Sequence, residues 1–553
     1  MLFALVLVFR LYDVQIINGS TYSDKADRQY VRTTVDLYDR GNIFMQDRDG
    51  RLVSGATLKT GYTLALNPSI MNEPEDVFNR LSSLIEIEEE DFLYRAGKST
   101  DPYEEIAHRL NPEIALAIQN QSLSGVNIYK DRWRFYPGDT LASQALGFVA
   151  YDENNLRGVY GVERYYNDVL SREEGIVNIN FFAEVFANLN KTLFKQSTSR
   201  EGDVITALEP SVQLFLERKL AEVQDKWNSK LTAGIIINPK SGEIYALAVN
   251  PTFDLNNFAQ EDVSIFGNPL VENVYEMGSI MKPLTMAAGL DTGIVTPETT
   301  YYDAGFIELD GFTIGNFDGK GRGYVDMQEV LNQSLNTGAA FVVNQIGNDV
   351  FTEYLRAYGI GEETGIDLPN ESAGLTDNLD SPRDIEYATA SFGQGIAITP
   401  IATVRALATL ANGGVLVTPH IATKIKYKSG LSKTVSYNDG ERVLKEETTE
   451  KITQMLVRVV DKALLGGSVK LDKYSVAAKT GTAQIAKVDE RGYYDDRFLH
   501  SFFGYFPAYN PEFLVFLLTV EPKEVRYASQ TLTYPFIDTV KFLTNYYEVP
   551  PDR

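Results

Sequence analysis

Alternating apolar and polar positions, broken by turn residues, predict a strand at 233–238 (AGIIIN), a PKSG turn at 239–242 and a second strand at 243–249 (EIYALAV). Three more strand-like runs close the chain, at 474–486, 500–509 and 512–522. Between the two groups the apolar spacing becomes helical, in IMKPLTMAAGLDTG, VDMQEVLNQS and PIATVRALATLANGG. Strands at both ends of a segment and helices in its middle predict an α+β fold in which one sheet is closed by the segment's terminal parts. Upstream, residues 20–200 mix short strand-like runs, turn signals and acidic stretches; EIEEEDF at 86–92 reads as a solvated helix face. The composition breaks at 198–210, where polar residues and Gly202 lead into an alternating strand and then an amphipathic stretch, so the main domain boundary is expected there, separating 18–200 from 201–553.

The first nine residues, MLFALVLVF, are wholly apolar and precede Arg10, but crossing a bilayer takes about 20 residues. The basic residues before and small residues after that would mark a secretory signal are missing. Residues 1–17 are therefore expected to hold part of a membrane helix and the segment that follows it. A net charge of −24 repels phosphate backbones, which argues against a nucleic-acid partner. With no cysteine, a thiolate nucleophile, a disulfide framework and Cys-ligated metal are excluded. His108, His420 and His500 lie far apart in sequence, so neither a His-built metal site nor a metal cofactor is expected. Chemistry is left to Ser, Thr, Lys, Asn and carboxylates.

Ser279-Ile280-Met281-Lys282 follows Gly278 at the start of a helical stretch, and residues three apart on a helix share a face. A lysine whose pKa is depressed can take the proton of such a serine, and Pro283 is tolerated in a first turn. It is the chain's single S-x-x-K, although by itself it reads more readily as a capping serine and a solvated lysine. Ser334-Leu335-Asn336 falls between a helix starting near Asp326, with Asp326 and Glu329 as a capping-type pair, and another starting near Thr337. A second S-x-N occurs at 436–438. Lys479-Thr480-Gly481-Thr482 sits in a strand-like run, where a glycine often marks the close approach of another backbone; a second K-T-G occurs at 59–61. Each motif is weak alone, whereas S-x-x-K, S-x-N and K-T-G in that order within one domain are a specific combination.

With these motifs the chain resembles a class B penicillin-binding protein, the monofunctional D,D-transpeptidase that cross-links peptidoglycan. The likeness extends to Arg40-Gly41 followed by Asp47-Arg48-Asp49-Gly50, which resembles the family's R-G-x-I-x-D-R-x-G signature with two extra residues between its halves, and to 134–149, 158–170, 364–369 and 391–400. It implies an elongated N-terminal pedestal of the dimerisation type at 18–200. At 201–553 it implies a penicillin-binding transpeptidase domain, a five-stranded antiparallel sheet flanked by helices with a helical subdomain. Residues 1–17 become the outer end of a single transmembrane helix in the bacterial cytoplasmic membrane, with the rest outside the cytoplasm.

The resemblance further implies that Ser279 attacks the carbonyl between the two D-alanines of a stem peptide, with Lys282 as base and Ser334 relaying a proton to the leaving amine. Asn336 would hold the substrate amide and position Lys282. Lys479 would depress the pKa of Lys282 and, with Thr480, Gly481 and Thr482, bind the substrate's terminal carboxylate, while backbone N–H groups of Ser279 and Thr482 form the oxyanion hole. Implied partners are peptidoglycan stem peptides, β-lactams as covalent inhibitors, the membrane, a membrane glycan polymerase and other cell-wall synthesis proteins, with no cofactor. The segments 275–283, SFGQGI and the ending YYEVPPD look more like the division (septal) type than the lateral-wall type. A β-lactamase-like hydrolase and a non-catalytic β-lactam sensor or scaffold are the competing readings; a Ser-His-Asp hydrolase is disfavoured by the lack of G-x-S-x-G.

Overall fold

The computed structural model describes residues 38–152, 155–172, 201–437, 440–487, 490 and 492–553. The apolar run at 1–9, with the whole expected membrane segment 1–17, lies outside them. Among the described residues no helix is long and apolar enough to cross a membrane.

These residues form two compact units. The first takes 38–40, 58–134 and Arg172. In it the latter part of strand Leu52–Leu66 pairs antiparallel with Glu104–Leu110 and also pairs with Val126–Phe135. Helices Pro74–Ser82, Glu89–Ala96 and Pro112–Asn120 cover a core of Leu64, Leu66, Leu81, Phe92, Leu110 and Ile118. The acidic run behaves as its composition requires: Glu89, Glu90 and Asp91 are exposed in the first turn of their helix, where negative charge suits the macrodipole, and Phe92 turns into the core.

The second unit takes 41–57, 135–171 and the described residues from 201 onward. It includes two of the stretches, 135–149 and 158–170, that the sequence groups with the pedestal. Its centre is a five-stranded antiparallel sheet in the order Ala477–Ala486, Tyr493–Phe506, Phe513–Val520, Leu231–Ile237, Ile244–Asn250. The first strands of the segment thus lie beside its last, the α+β closure that the pattern implied. The middle strand, FLVFLLTV, reads as one continuous apolar run because both faces are covered. Successive side chains point to opposite faces: Phe513, Val515 and Leu517 pack with Val212, Leu216 and Phe536 beneath helices Pro210–Trp227 and Thr533–Tyr546. Leu514, Phe516 and Leu518 share the other core with Leu284 of helix Lys282–Thr292 and Val404 of Pro400–Ala411. Phe516 is fully buried, and a Phe→Ala change at such a site costs about 3–5 kcal/mol. Strand Tyr493–Phe506 begins seven residues before the expected 500, because its first part, Tyr493 to Arg497, is partly or fully exposed and carries no apolar alternation to announce it.

Candidate active site

The turn that carries the expected nucleophile is a tight 3-10 turn, Gly278–Met281, that runs directly into helix Lys282–Thr292. Three residues per turn eclipses positions i and i+3, which lines Lys282 up with Ser279, and Lys282 Nζ donates to Ser279 Oγ at 3.0 Å. Gly278 adopts φ +65°, and a Cβ there would lie 2.9 Å from the Thr482 carbonyl oxygen, so the turn abuts the K-T-G strand more closely than any side chain allows.

Helix Met327–Gln333 is capped by Asp326, whose side chain accepts from Glu329 N at 2.8 Å, and ends at Ser334 in the left-handed conformation, φ +57°. That conformation costs a non-glycine residue about 1–2 kcal/mol, and here it turns the Ser334 side chain and carbonyl toward the lysine. Lys282 Nζ donates to Ser334 O at 2.6 Å, Ser334 Oγ at 3.2 Å and Asn336 Oδ1 at 2.8 Å. Helix Asn336–Ile346 begins at once, one residue before the expected Thr337.

The K-T-G strand Ala477–Ala486 is the edge of the five-stranded sheet. Lys479 Nζ donates to Ser334 Oγ at 3.0 Å and to Thr480 O at 2.9 Å, so the Ser334 hydroxyl stands between both amines. A Cβ on Gly481 would come within 2.3 Å of Ser501 Oγ and 2.8 Å of Met277 O, and Ser501 Oγ itself donates to Met277 O at 2.8 Å, which ties strand to nucleophile turn. Thr482 Oγ1 accepts from Ala528 N at 3.0 Å, leaving its own O–H to donate elsewhere. Ser279, Ser334, Asn336, Lys479, Thr480 and Thr482 line one cavity of about 730 Å³, with Lys282 and Gly481 enclosed behind them. The second K-T-G lies in strand Leu52–Leu66, where Lys59 and Thr60 are exposed. Of the second S-x-N, Asn438 lies outside the described residues.

Burial decides the charge states. Lys282 is 1% exposed and Lys479 3%. Desolvation drives the Lys282 amine well below its usual pKa, and the nearby positive charge of Lys479 lowers it further. Lys479 is lowered by burial to about 7. Two amines sharing one hydroxyl cannot both stay charged at low cost, and burial together with the Lys479 charge biases Lys282 toward its neutral form. The arrangement is therefore a serine hydroxyl 3.0 Å from an amine whose burial favours its neutral form, with a second buried amine behind it. His500, opposite Thr482 in the sheet, is buried, bonds Thr531 and the Arg526 carbonyl, and is pushed down to about 4 by desolvation. It stays neutral and holds the wall of the cavity.

Residues 232–540 match the penicillin binding protein transpeptidase domain, and residues 38–206 match the penicillin-binding protein dimerisation domain. The chain belongs to the class B penicillin-binding proteins. It is similar to stage V sporulation protein D of Bacillus subtilis, 29% identical over 97% of this chain and 82% of that protein. It is also similar to a peptidoglycan D,D-transpeptidase FtsI of Buchnera aphidicola, 25% identical over 97% of this chain and 92% of the relative. A crystal structure of penicillin-binding protein 3 from Mycobacterium tuberculosis, complexed with aztreonam, shares the fold at a TM-score of 0.71 and 21% identity, covering 94% of this chain and 98% of that one. Penicillin-binding protein 2X from Streptococcus thermophilus does so at 0.73 and 20% identity, covering 94% and 81%. Peptidoglycan D,D-transpeptidation is the activity of this class.

In this class B protein the cleft also holds residues that the motifs did not single out. Phe317 and Tyr527 both line it and meet edge to face at 5.8 Å, and the Phe392 ring lies 5.9 Å from Lys282 Nζ. Phe392 lies in the SFGQG stretch, which sequence likeness did flag. Phe317 and Tyr527 sit in turn-rich segments with no periodicity to mark them.

Proposed function

We propose that the chain cross-links peptidoglycan through an acyl-enzyme on Ser279. The observation that carries this reading is the Ser279 Oγ to Lys282 Nζ distance of 3.0 Å at a fully enclosed, desolvated lysine. Unprotonated Lys282 takes the hydroxyl proton as Oγ attacks the carbonyl between the two D-alanines of a stem peptide. The oxyanion is held by the backbone N–H groups of Ser279 and Thr482, where one donor is typically worth about 100-fold or more. Ser334, bonded to both lysines, passes a proton to the leaving D-alanine amine. An amine from a second stem peptide then takes the acyl group. Lys479, Thr480 and Thr482 bind the terminal carboxylate, supported by the Thr482 hydroxyl already accepting from Ala528 N and so turning its proton outward. Asn336 serves Lys282 through Oδ1; its Nδ2 donates to Gly315 O at 2.9 Å, so holding a substrate amide as well requires giving up that bond.

Within the class we assign a septal role, on the likeness of 275–283, 391–396 and 546–552 to the division type. The chain then divides as anchor 1–17, pedestal 18–200 and catalytic domain 201–553, held at the cytoplasmic membrane with the catalytic domain outside and working beside a membrane glycan polymerase.

Mass measurement after incubation with penicillin tests the mechanism. One covalent equivalent on the wild type, lost in Ser279→Ala, is expected; a full adduct on Ser279→Ala overturns the assignment. Rapid penicillin turnover instead of a lasting adduct would favour the β-lactamase-like reading. An adduct without any stem-peptide transfer to an added amine would favour the sensor.

A further inference from the structure

Helix Asn336–Ile346 carries the asparagine that faces Lys282, yet its N-cap position is Leu335, a side chain with nothing to offer the open N–H groups of a first turn. The cap arrives from elsewhere in the chain. Asn316 Oδ1 accepts from Asn336 N at 3.0 Å and from Thr337 N at 3.3 Å. The orientation of the Asn316 amide is in turn set by Asp303, whose two oxygens accept from Asn316 Nδ2 at 2.9 and 3.0 Å. Asp303 also accepts from Gly305 N at 2.9 Å, Arg322 N at 3.1 Å and Thr337 Oγ1 at 2.8 Å. Asp303, Asn316 and Thr337 are 1%, 6% and 2% exposed.

Every group converging on Asp303 is a donor, and a carboxylate meets all of them on its two oxygens. Its charge lies beside the positive end of the helix that begins with Asn336. The chain of bonds runs Asp303 to Asn316 to the Asn336 backbone, and from the Asn336 side chain to Lys282. Rotating the Asn316 amide would turn N–H groups against Asn336 N–H and free the first turn of the helix.

We propose that Asp303 and Asn316 are positioning residues of the acylation step: the buried pair caps the helix of Asn336 from a distant segment and thereby fixes the acceptor that holds Lys282 against Ser279. This rests on the acyl-serine reading above. Asn316 lines the same cavity as Ser279, and the pair reaches Lys282 through Asn336.

The test measures the second-order rate of acylation by a fluorescent penicillin across pH, with thermal melting in parallel, for the full chain and for Asp303→Asn, Asn316→Asp and the double exchange. Each single exchange sets like against like, two amides or two carboxylates. The double exchange restores a carboxylate facing an amide, with the carboxylate now accepting from Asn336 N and Thr337 N. Each single variant should acylate at least about tenfold more slowly, as expected of a catalytic group displaced by a fraction of an ångström, and the double variant should regain part of that loss, since Gly305 N and Arg322 N then meet an amide in place of a carboxylate. The groups facing Lys282 are Ser279, Ser334 and Asn336, all neutral, and the charged Lys479. Loss of the Asn336 acceptor therefore moves the rising limb of the profile to lower pH, since that bond favours the ammonium form. Single variants that melt earlier yet keep the wild-type rate and profile would overturn the proposal, as would a double variant no faster than the slower single one. Should a single variant fail to fold, Thr337→Val removes one donor to Asp303; a severalfold slower acylation is expected, and an unchanged rate overturns the idea. Failure of the wild type itself to acquire an adduct would count against the acyl-serine reading instead.

Discussion

The molecule contains the same three letters twice, in two strands, and uses them differently. Lys59-Thr60-Gly61 stands in strand Leu52–Leu66 of the first unit with its lysine and threonine exposed. Lys479-Thr480-Gly481 stands at the edge of the five-stranded sheet with its lysine 3% exposed and lowered by burial to about 7. Both glycines are forced by close neighbours, but the neighbours differ: a Cβ on Gly61 would meet Leu110 O and the Trp133 ring at 2.7 Å, whereas one on Gly481 would strike Ser501 Oγ and the carbonyl of Met277, two residues before the nucleophile. Chemistry comes from the surroundings, in that a desolvated amine bonded to Ser334 is a tuned group and an exposed one is a solubilising charge.

The widest separation should appear on removing the two lysines. Lys479→Ala takes away the charge facing Lys282 and the donor to Ser334, and is expected to slow penicillin acylation by about 100-fold or more, the scale of a lost electrostatic donor in an enclosed site. Lys59→Ala should leave acylation unchanged and stability within about 0.5 kcal/mol. Stopped-flow acylation of both variants decides it, and comparable losses from the two would erase the distinction.

How far these differences were legible in sequence depends on how local their causes are. The strands at 231–250 and 477–520 and the helices between them were readable, because alternation and helical spacing are properties of neighbouring residues. The order of S-x-x-K, S-x-N and K-T-G marked the site, and the one-turn spacing of Ser279 and Lys282 followed from helix geometry. Which K-T-G would be buried was not local information: it depends on the pairing of 477–486 with 493–506 and on the nucleophile turn packing about 200 residues earlier in the chain. Asp303 and Asn316 escaped for the same reason. Asp303 ends strand Thr300–Asp303 and Asn316 follows strand Phe312–Gly315, whose exposed aromatic residues Tyr302 and Phe312 mask any inward pattern, and both serve a helix that begins twenty or more residues further on.

The glycines sharpen the contrast at an intermediate scale. Gly481→Ala must push the strand from the Ser501–Met277 contact that holds the nucleophile turn, so acylation should fall by roughly tenfold or more as Ser279 shifts against Lys282. Gly61→Ala forces a methyl group into Leu110 O and Trp133 and should cost about 1–3 kcal/mol of stability in its own unit, with acylation intact. Thermal melting and acylation measured on both variants separate the effects. Lost acylation in Gly61→Ala with the protein still folded would show that the first unit reaches the chemistry.

The smallest effect is the shape of the pH profile, which follows from the order in which the two buried amines lose their protons. The proposed mechanism needs Lys282 neutral and Lys479 charged for acylation. Lys282 is lowered by burial and then by the charge of Lys479, so its neutral form is reached well below the pH at which an exposed lysine titrates, and the rate rises with pH through that value. Lys479 loses its charge near 7, so the second-order rate should turn over about there and decline only severalfold per unit. A bound carboxylate favours the ammonium of Lys479, which raises its pKa, so at saturating penicillin the falling limb should move to higher pH. Lys59→Ala should trace the wild-type curve. A profile flat from pH 6 to 9, or a falling limb that stays in place at saturation, would mean that the burial of Lys479 does not set its role.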